Sequence, residues 1–498
     1  MAFLSLEFLV FFALTAALHR VLPSRFRNLF LLLAGYFFYA ANQPLGLGLL
    51  IASTLIDFFL AQGIAAQRDP RSRKRLLALG LAINLGILAV FKYAVFIGAS
   101  FQAFLSRLHV SQALPALHLI LPLGLSYYTF KKISYLFDVY RRRLPVERSF
   151  SRFALYVSFF PAIQAGPMDR AGELMTQFPA SDRPDPGRFG EGLQLIVWGL
   201  FKKLVVADRL AALVGTVFDQ PGSFRGPVII LAACAYSWQI YCDFSAYTDL
   251  ARGLGRILGF RLMENFRQPY LARSIGDFWR RWHISLSTWL RDYLFLPVSY
   301  SLSRRFSRRP VLAPRADRVA YVTGVVLTMA LCGLWHGAGW TFVAWGLLQG
   351  LFLVSSLLTK KLRRKGVKAL GLDRRRRWRD VMRVAVTFAM VSFSWIFFRA
   401  PSVKGALTLI GDIFARPAGA SNAWMDRFLA GRPLLELVLA GAAVVAVVAV
   451  ERLLEKASLR ELLAAQPVWR RWLAYYLIIF AVLLFGIYAQ PEFIYGRF

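Results

Sequence analysis

The chain has 498 residues, 57% of them hydrophobic and 15% aromatic, and its mean hydropathy is +0.49. So much apolar surface excludes a soluble globular protein, and repeated apolar runs of about 20 residues define a polytopic, all-α integral membrane protein. The net charge of +34 does not make it a nucleic-acid binder: the basic residues cluster between apolar runs, as in cytoplasmic loops, where they also meet anionic membrane lipids.

In chain order, apolar runs near 4–19, 28–41, 45–63, 77–98, 117–137, 190–205, 226–248, 319–335, 340–358, 384–398, 434–450 and 472–489 predict roughly a dozen membrane helices. The first has an apolar core but no basic segment before it and carries Glu7, so it reads as a membrane helix and not as a cleaved signal peptide. Arg20, Arg25 and Arg27 follow the first run, Arg68 to Arg75 the third, and Arg141, Arg142 and Arg143 the fifth. The segment 360–383 carries twelve basic residues against Asp373 and Asp380. The positive-inside rule places these loops in the cytoplasm, and the N-terminus and the 99–116 loop outside. Residues 153–166, FALYVSFFPAIQAG, are apolar but short, which predicts a short or re-entrant segment. No internal repeat or low-complexity stretch is evident. The polar loops 167–189, 302–318, 360–383 and 400–433 are too short to fold alone, so residues 1–498 read as one membrane domain. Cys234, Cys242 and Cys332 all lie in apolar stretches and form neither a disulfide framework nor a zinc spacing. No metal-ligand cluster, phosphate loop or Ser-His-Asp order is legible.

Two of the five histidines stand out. His336 ends a long apolar run and is followed by Gly337 and Gly339. An ionisable side chain at membrane depth is a functional candidate by default. Neutral imidazole is the usual general base near pH 7, the glycines leave room for close approach, and Trp335, Trp340 and Trp345 would wall a site. The same residues also suit a histidine bonded between helices, with interfacial tryptophans. His283 lies in FWRRWHISLSTWLRDYLF, too charged for a span and suited to an amphipathic interfacial helix that carries Arg291 and Asp292. In YSWQIYCDFSAYTDLAR, Tyr241, Ser245 and Asp249 share one helical face. Asp243 and Asp249, acids in an apolar run, are expected to pair with the arginines of 273–291 or else to line an ion path. Cys332 precedes His336 by one helical turn, so both a thioester-forming nucleophile and a small buried apolar residue fit it.

These stretches resemble the membrane-bound O-acyltransferase (MBOAT) family, closest to its bacterial branch that includes the alginate O-acetyltransferase membrane subunit. The resemblance rests on PAIQAGPMDR (161–170), YCDFSAYTDLARGLGRILGF (241–260), NFRQPYLARSIGDFWRRWHISLSTWLRDYLFLPV (265–298), GLWHGAGWTFVAWG (333–346), SWIFFRA (394–400) and the terminal FIYGRF. The motif-bearing core spans about 160–400. The resemblance implies a ring of tilted helices around a thin, funnel-shaped core in the bacterial inner membrane. It makes His336 the catalytic histidine, and His283 the second motif position, which elsewhere in the family is Asn, Asp or His. Trp335, Trp340, Tyr241, Asp243, Arg291 and Asp292 are candidate lining residues. No resident cofactor or metal is expected. The acyl donor, such as acetyl-CoA, is a substrate that reaches His336 from the cytoplasm, and the acceptor is an extracytoplasmic polysaccharide such as alginate, often through a periplasmic acetyltransferase partner. D-alanyl transfer to teichoic acid and a transporter using the intramembrane acids are the competing readings.

Overall fold

A computed structural model of the protein describes residues 1, 3–109, 119–178, 186–308, 313–369, 371, 375–415, 434–455, 459–488 and 493–494. Among the described residues the structure is helical with no strand. Among the described residues, eight helices are long and apolar enough to cross a membrane: Pro44–Ala66, Pro70–Arg107, Pro227–Ile257, Ala313–His336, Trp340–Leu358, Arg376–Arg399, Leu435–Leu454 and Val468–Phe485. They match eight of the twelve expected runs. The other four differ for local reasons. Leu6–Val21 has only 16 residues, Ser24–Asn42 opens on Arg25 and Arg27, and Leu125–Tyr140 is again 16 residues. The run at 190–205 is split by a π-helical stretch, Phe201–Ala207. The 153–166 segment forms a nine-residue helix, Phe150–Ser158, followed by turns. At 1.5 Å per residue that helix is about 14 Å long, half of what a hydrocarbon core requires.

The chain divides into two compact units, Met1–Leu195 with Leu250–Met263, and Ile196–Asp249 with Glu264–Phe498. In the first unit, Asp69 caps its helix by accepting from the backbone N–H groups of Arg71 and Ser72, with Pro70 at the first helical position where its missing N–H costs nothing. The helix Leu125–Tyr140 is the inner element, and even Lys131 and Lys132 on it are buried. Lys132 meets Asp57 at 3.1 Å, and the Asn84 amide donates to both Asp57 oxygens at 2.8 and 2.9 Å. Removing one partner of such a buried pair leaves an uncompensated charge, typically at a cost of about 3–5 kcal/mol. Asp57→Ala is therefore expected to lower the unfolding midpoint in detergent sharply, and Asp57→Leu with Lys132→Met to recover most of it. Equal midpoints for Asp57→Ala and the parent would show that the pair contributes nothing.

In the second unit, the helices Ala316–His336 and Trp340–Leu358 form a hairpin held by small residues. A Cβ on Gly333 would lie 2.1 Å from the Phe342 carbonyl oxygen, and one on Gly346 would lie 2.2 Å from that of Met329. Helices without a hydrophobic drive between them pack in this way, backbone against backbone. Outside the packed faces, Leu351, Leu477 and Leu484 are exposed, as suits side chains surrounded by lipid.

Candidate active site

His336 is the last residue of its helix, and Gly337 caps the helix end in extended conformation. The room beside Gly337 is already filled: a Cβ there would lie 2.2 Å from the Phe342 ring. Three further aromatic rings surround the imidazole. Trp335 lies at 4.9 Å, Trp345 at 5.1 Å and Phe398 at 5.4 Å between ring centroids, all near edge-to-face. Trp345 stacks on Trp395 at 5.3 Å. Trp395 and Phe398 come from SWIFFRA, so that motif forms the far wall of the cage. Pairs of this kind contribute about 0.5–1.5 kcal/mol each beyond their burial, and together they fix the plane of the imidazole.

His283 joins two short helices, Ile275–Arg281 and Ile284–Leu290, and takes the left-handed conformation, φ 42° and ψ 55°. For a residue with a side chain this costs about 1–3 kcal/mol and persists only where its surroundings enforce it. Here residues 265–267 enforce it. The Ile284 N–H donates to the Asn265 carbonyl at 2.9 Å, the Ser285 N–H to the Asn265 side chain at 3.2 Å, and the Arg267 N–H to the Arg281 carbonyl at 3.0 Å. The resulting kink turns the imidazole inward, where it is fully buried. Its edge meets Phe244 at 4.7 Å, and Trp335 lies at 6.1 Å. Burial pushes this imidazole down to about 3, so it is neutral at physiological pH. Trp335 thus touches both histidines, and the two sequence motifs converge on one indole.

The remaining expected residues sort differently. Tyr241 donates to Glu451 at 2.5 Å, and its ring packs against Tyr270 at 5.6 Å and Trp282 at 6.2 Å. Asp243 and Asp249 do not reach the arginines of 273–291. Asp243 pairs with Lys203 at 2.9 Å and Asp249 with Lys202 at 2.5 Å. The correction has a local cause: the π-helical stretch Phe201–Ala207 is buried throughout and carries both lysines inward. Arg280 and Arg281 instead pair with Asp277 at 3.3 and 3.2 Å, and Arg273 with Asp380 at 3.1 Å. Trp340 opens its helix 60% exposed. Arg291 pairs with Asp292 at 2.7 Å and is itself 60% exposed.

Arg291 stands at the wall of a cavity of about 180 Å3, with Trp279, Leu290, Val325, Thr328 and Met329. Thr328 and Met329 lie on the helix that ends at His336, and Trp279 packs on Trp345 at 6.0 Å. The buried Thr328 hydroxyl has no hydrogen-bond partner among the described residues. The three cysteines are free thiols, and Cys332 is fully buried. Among the described residues no group of three His, Cys, Asp or Glu is placed to hold a metal ion.

Asn265 and Phe244 fall within the stretches that carry the family resemblance but have no local mark of their part in this site, and nothing in the apolar run marks the two lysines. Trp395 and Phe398 carried a signal, since SWIFFRA sits in an apolar run with a tryptophan at depth.

A multi-pass helical membrane protein with two buried histidines on a shared tryptophan is the class defined so far. Comparison with known proteins narrows it. The model of the MBOAT, membrane-bound O-acyltransferase family matches residues 141–399. The chain is 38% identical over 417 residues to the probable alginate O-acetylase AlgI of Azotobacter vinelandii, covering 83% of this chain and 78% of that protein. It is 34% identical over 440 residues to the peptidoglycan O-acetyltransferase of Helicobacter pylori, covering 82% and 77%. It is 28% identical over 290 residues to the teichoic acid D-alanyltransferase of Streptococcus thermophilus, covering 55% and 68%. The chain belongs to the membrane-bound O-acyltransferase family and is a membrane acyltransferase.

Proposed function

We propose that the protein transfers a short acyl group, acetyl, from a cytoplasmic thioester donor such as acetyl-CoA toward hydroxyls of an extracytoplasmic polysaccharide such as alginate. It would do so in the bacterial inner membrane, delivering either to the polysaccharide itself or to a periplasmic acetyltransferase partner. The observation that carries this reading is the convergence of His336 and His283 on Trp335, at the end of a helix that also walls a cavity. The naming of the relatives as O-acetylases supports acetyl as the acyl group.

In the proposed reaction an acceptor hydroxyl attacks the thioester carbonyl. His336 takes the hydroxyl proton as the new C–O bond forms. The tetrahedral intermediate expels the thiolate, which recovers the proton from His336, and the products are an ester and a free thiol. His283, neutral through burial, would orient the donor or donate to the developing oxyanion. The cavity beside the His336 helix has the size of an engineered cavity that holds a small apolar ligand. Its lining, with Leu290, Val325 and Met329, is largely apolar and suits an apolar part of the donor.

The similarity to a peptidoglycan O-acetyltransferase over nearly the same length supports peptidoglycan as a second acceptor. The test is NMR of the host's purified surface polysaccharide and peptidoglycan, with and without this chain. Loss of O-acetyl signals from one polymer, restored by the gene, identifies the acceptor. Unchanged O-acetylation of both, or lost alanyl esters in place of acetyl, overturns the proposal.

A further inference from the structure

We infer that Lys202 and Lys203 are positioning residues for the acyl transfer, setting the rotation of helix Pro227–Ile257 so that Phe244 is held against His283. This rests on the assisting role proposed above for His283. The two lysines are adjacent in sequence and almost wholly buried, where a charge persists only with partners. Their partners alternate around Phe244. Lys203 meets Asp243 at 2.9 Å, and the Lys202 ammonium donates to Ser245 at 2.9 Å while pairing with Asp249 at 2.5 Å.

Successive residues on a helix are separated by about 100°, so Asp243 and Ser245 project to opposite flanks, with Phe244 between them. A helix anchored on one flank can still roll about its axis; one anchored on both cannot. Fixing the roll of the helix fixes the direction of Phe244, and Phe244 packs edge-to-face with the imidazole at 4.7 Å between ring centroids. Asp208 strengthens the Lys203 anchor at 2.8 Å. The Phe493 ring lies 4.7 Å from the same ammonium, and the Ile494 N–H donates to Asp243 at 2.8 Å. The side chain that touches His283 is apolar and lends it no proton. What it supplies is a fixed ring position, and a displacement of about 1 Å at a catalytic group can cost about 10²-fold in rate.

The test is kinetic, on full-length protein in membranes, with protein level and donor KM measured alongside. Lys203→Met combined with Asp243→Asn, which leaves that pair uncharged, is expected to lower kcat about 10- to 100-fold with KM little changed. Lys203→Arg, which keeps the charge, is expected to recover part of the loss. The discriminating measurement repeats the lysine change in a His283→Gly background, which removes the imidazole and still takes the left-handed conformation. There it should cost less than about twofold, because the group it positions is already gone. Multiplying losses would overturn the inference while leaving the role of His283 intact. Parental activity in His283→Gly alone would overturn both. Ser245→Ala and Phe244→Leu remove no charge and carry the same comparison if the lysine variants fail to accumulate.

Discussion

Replacing His336 with alanine is expected to abolish detectable O-acyl transfer while the protein still inserts and accumulates. Loss of a general base costs about 10²–10⁴-fold, enough to take polymer acylation below detection. The fold should tolerate the change, because the walls of the cage hold one another: Trp345 on Trp395 at 5.3 Å, and Phe398 on Trp395 at 5.1 Å. His336→Gln, closer in volume but without a comparable base, should be as inactive, which separates lost chemistry from a packing void. Cys332→Ser should keep most activity, since a similar volume at a fully buried position is usually tolerated. His109→Ala, at an exposed position, should change little, and so should His118→Ala, which lies outside the described residues. Measurement of O-acetyl ester per unit of membrane protein decides the matter. A well-accumulated His336→Ala acting at the parental rate would make this histidine a structural residue.

The parts of this protein that were legible in the sequence are those written in local patterns. A long apolar run is a span whatever it packs against, and eight of the twelve runs are long apolar helices among the described residues. A histidine closing one of those runs is conspicuous because ionisable groups at membrane depth are rare. What could not be read depends on backbone geometry or on partners far away in sequence. Lys202 and Lys203 look like the end of an apolar run; only the π-helical stretch and the helix some forty residues on make them an inner anchor. The left-handed backbone at His283 leaves no mark in its own segment, since the residues enforcing it are Asn265 and Arg267. In retrospect the family resemblance held a clue. Asn, Asp and His, the residues associated with that motif position, are the side-chain-bearing residues that enter the left-handed region most readily. The acids of 236–252 suit either pairing with the arginines of 273–291 or an ion path, and Asp243 and Asp249 are paired, but with Lys203 and Lys202.

The second large effect should come from a single methyl group. Gly346→Ala places a Cβ about 2.2 Å from the Met329 carbonyl oxygen, and Gly333→Ala places one 2.1 Å from that of Phe342. Both obstacles are backbone atoms of a paired helix, so no side chain can swing aside. The helices must separate by roughly 1 Å, and that separation moves His336, at the end of one helix, relative to Trp345 on the other. A catalytic group displaced by that distance loses about 10²-fold in rate, and the lost packing weakens a hairpin that small residues hold together. Either alanine is therefore expected to cut O-acyl transfer at least about a hundredfold or to prevent accumulation outright. Gly366→Ala is the control, since nothing lies within 4 Å of its added methyl and alanine is the better helix former by about 1 kcal/mol. Gly350→Ala should fall between them, its nearest atom being a side-chain carbon of Met329 at 3.3 Å. The measurements are membrane protein level, detergent unfolding midpoint and acyl transfer across the four variants. Parental values for Gly333→Ala and Gly346→Ala would mean that the two backbones do not meet at these glycines, and that His336 is held by its aromatic cage alone.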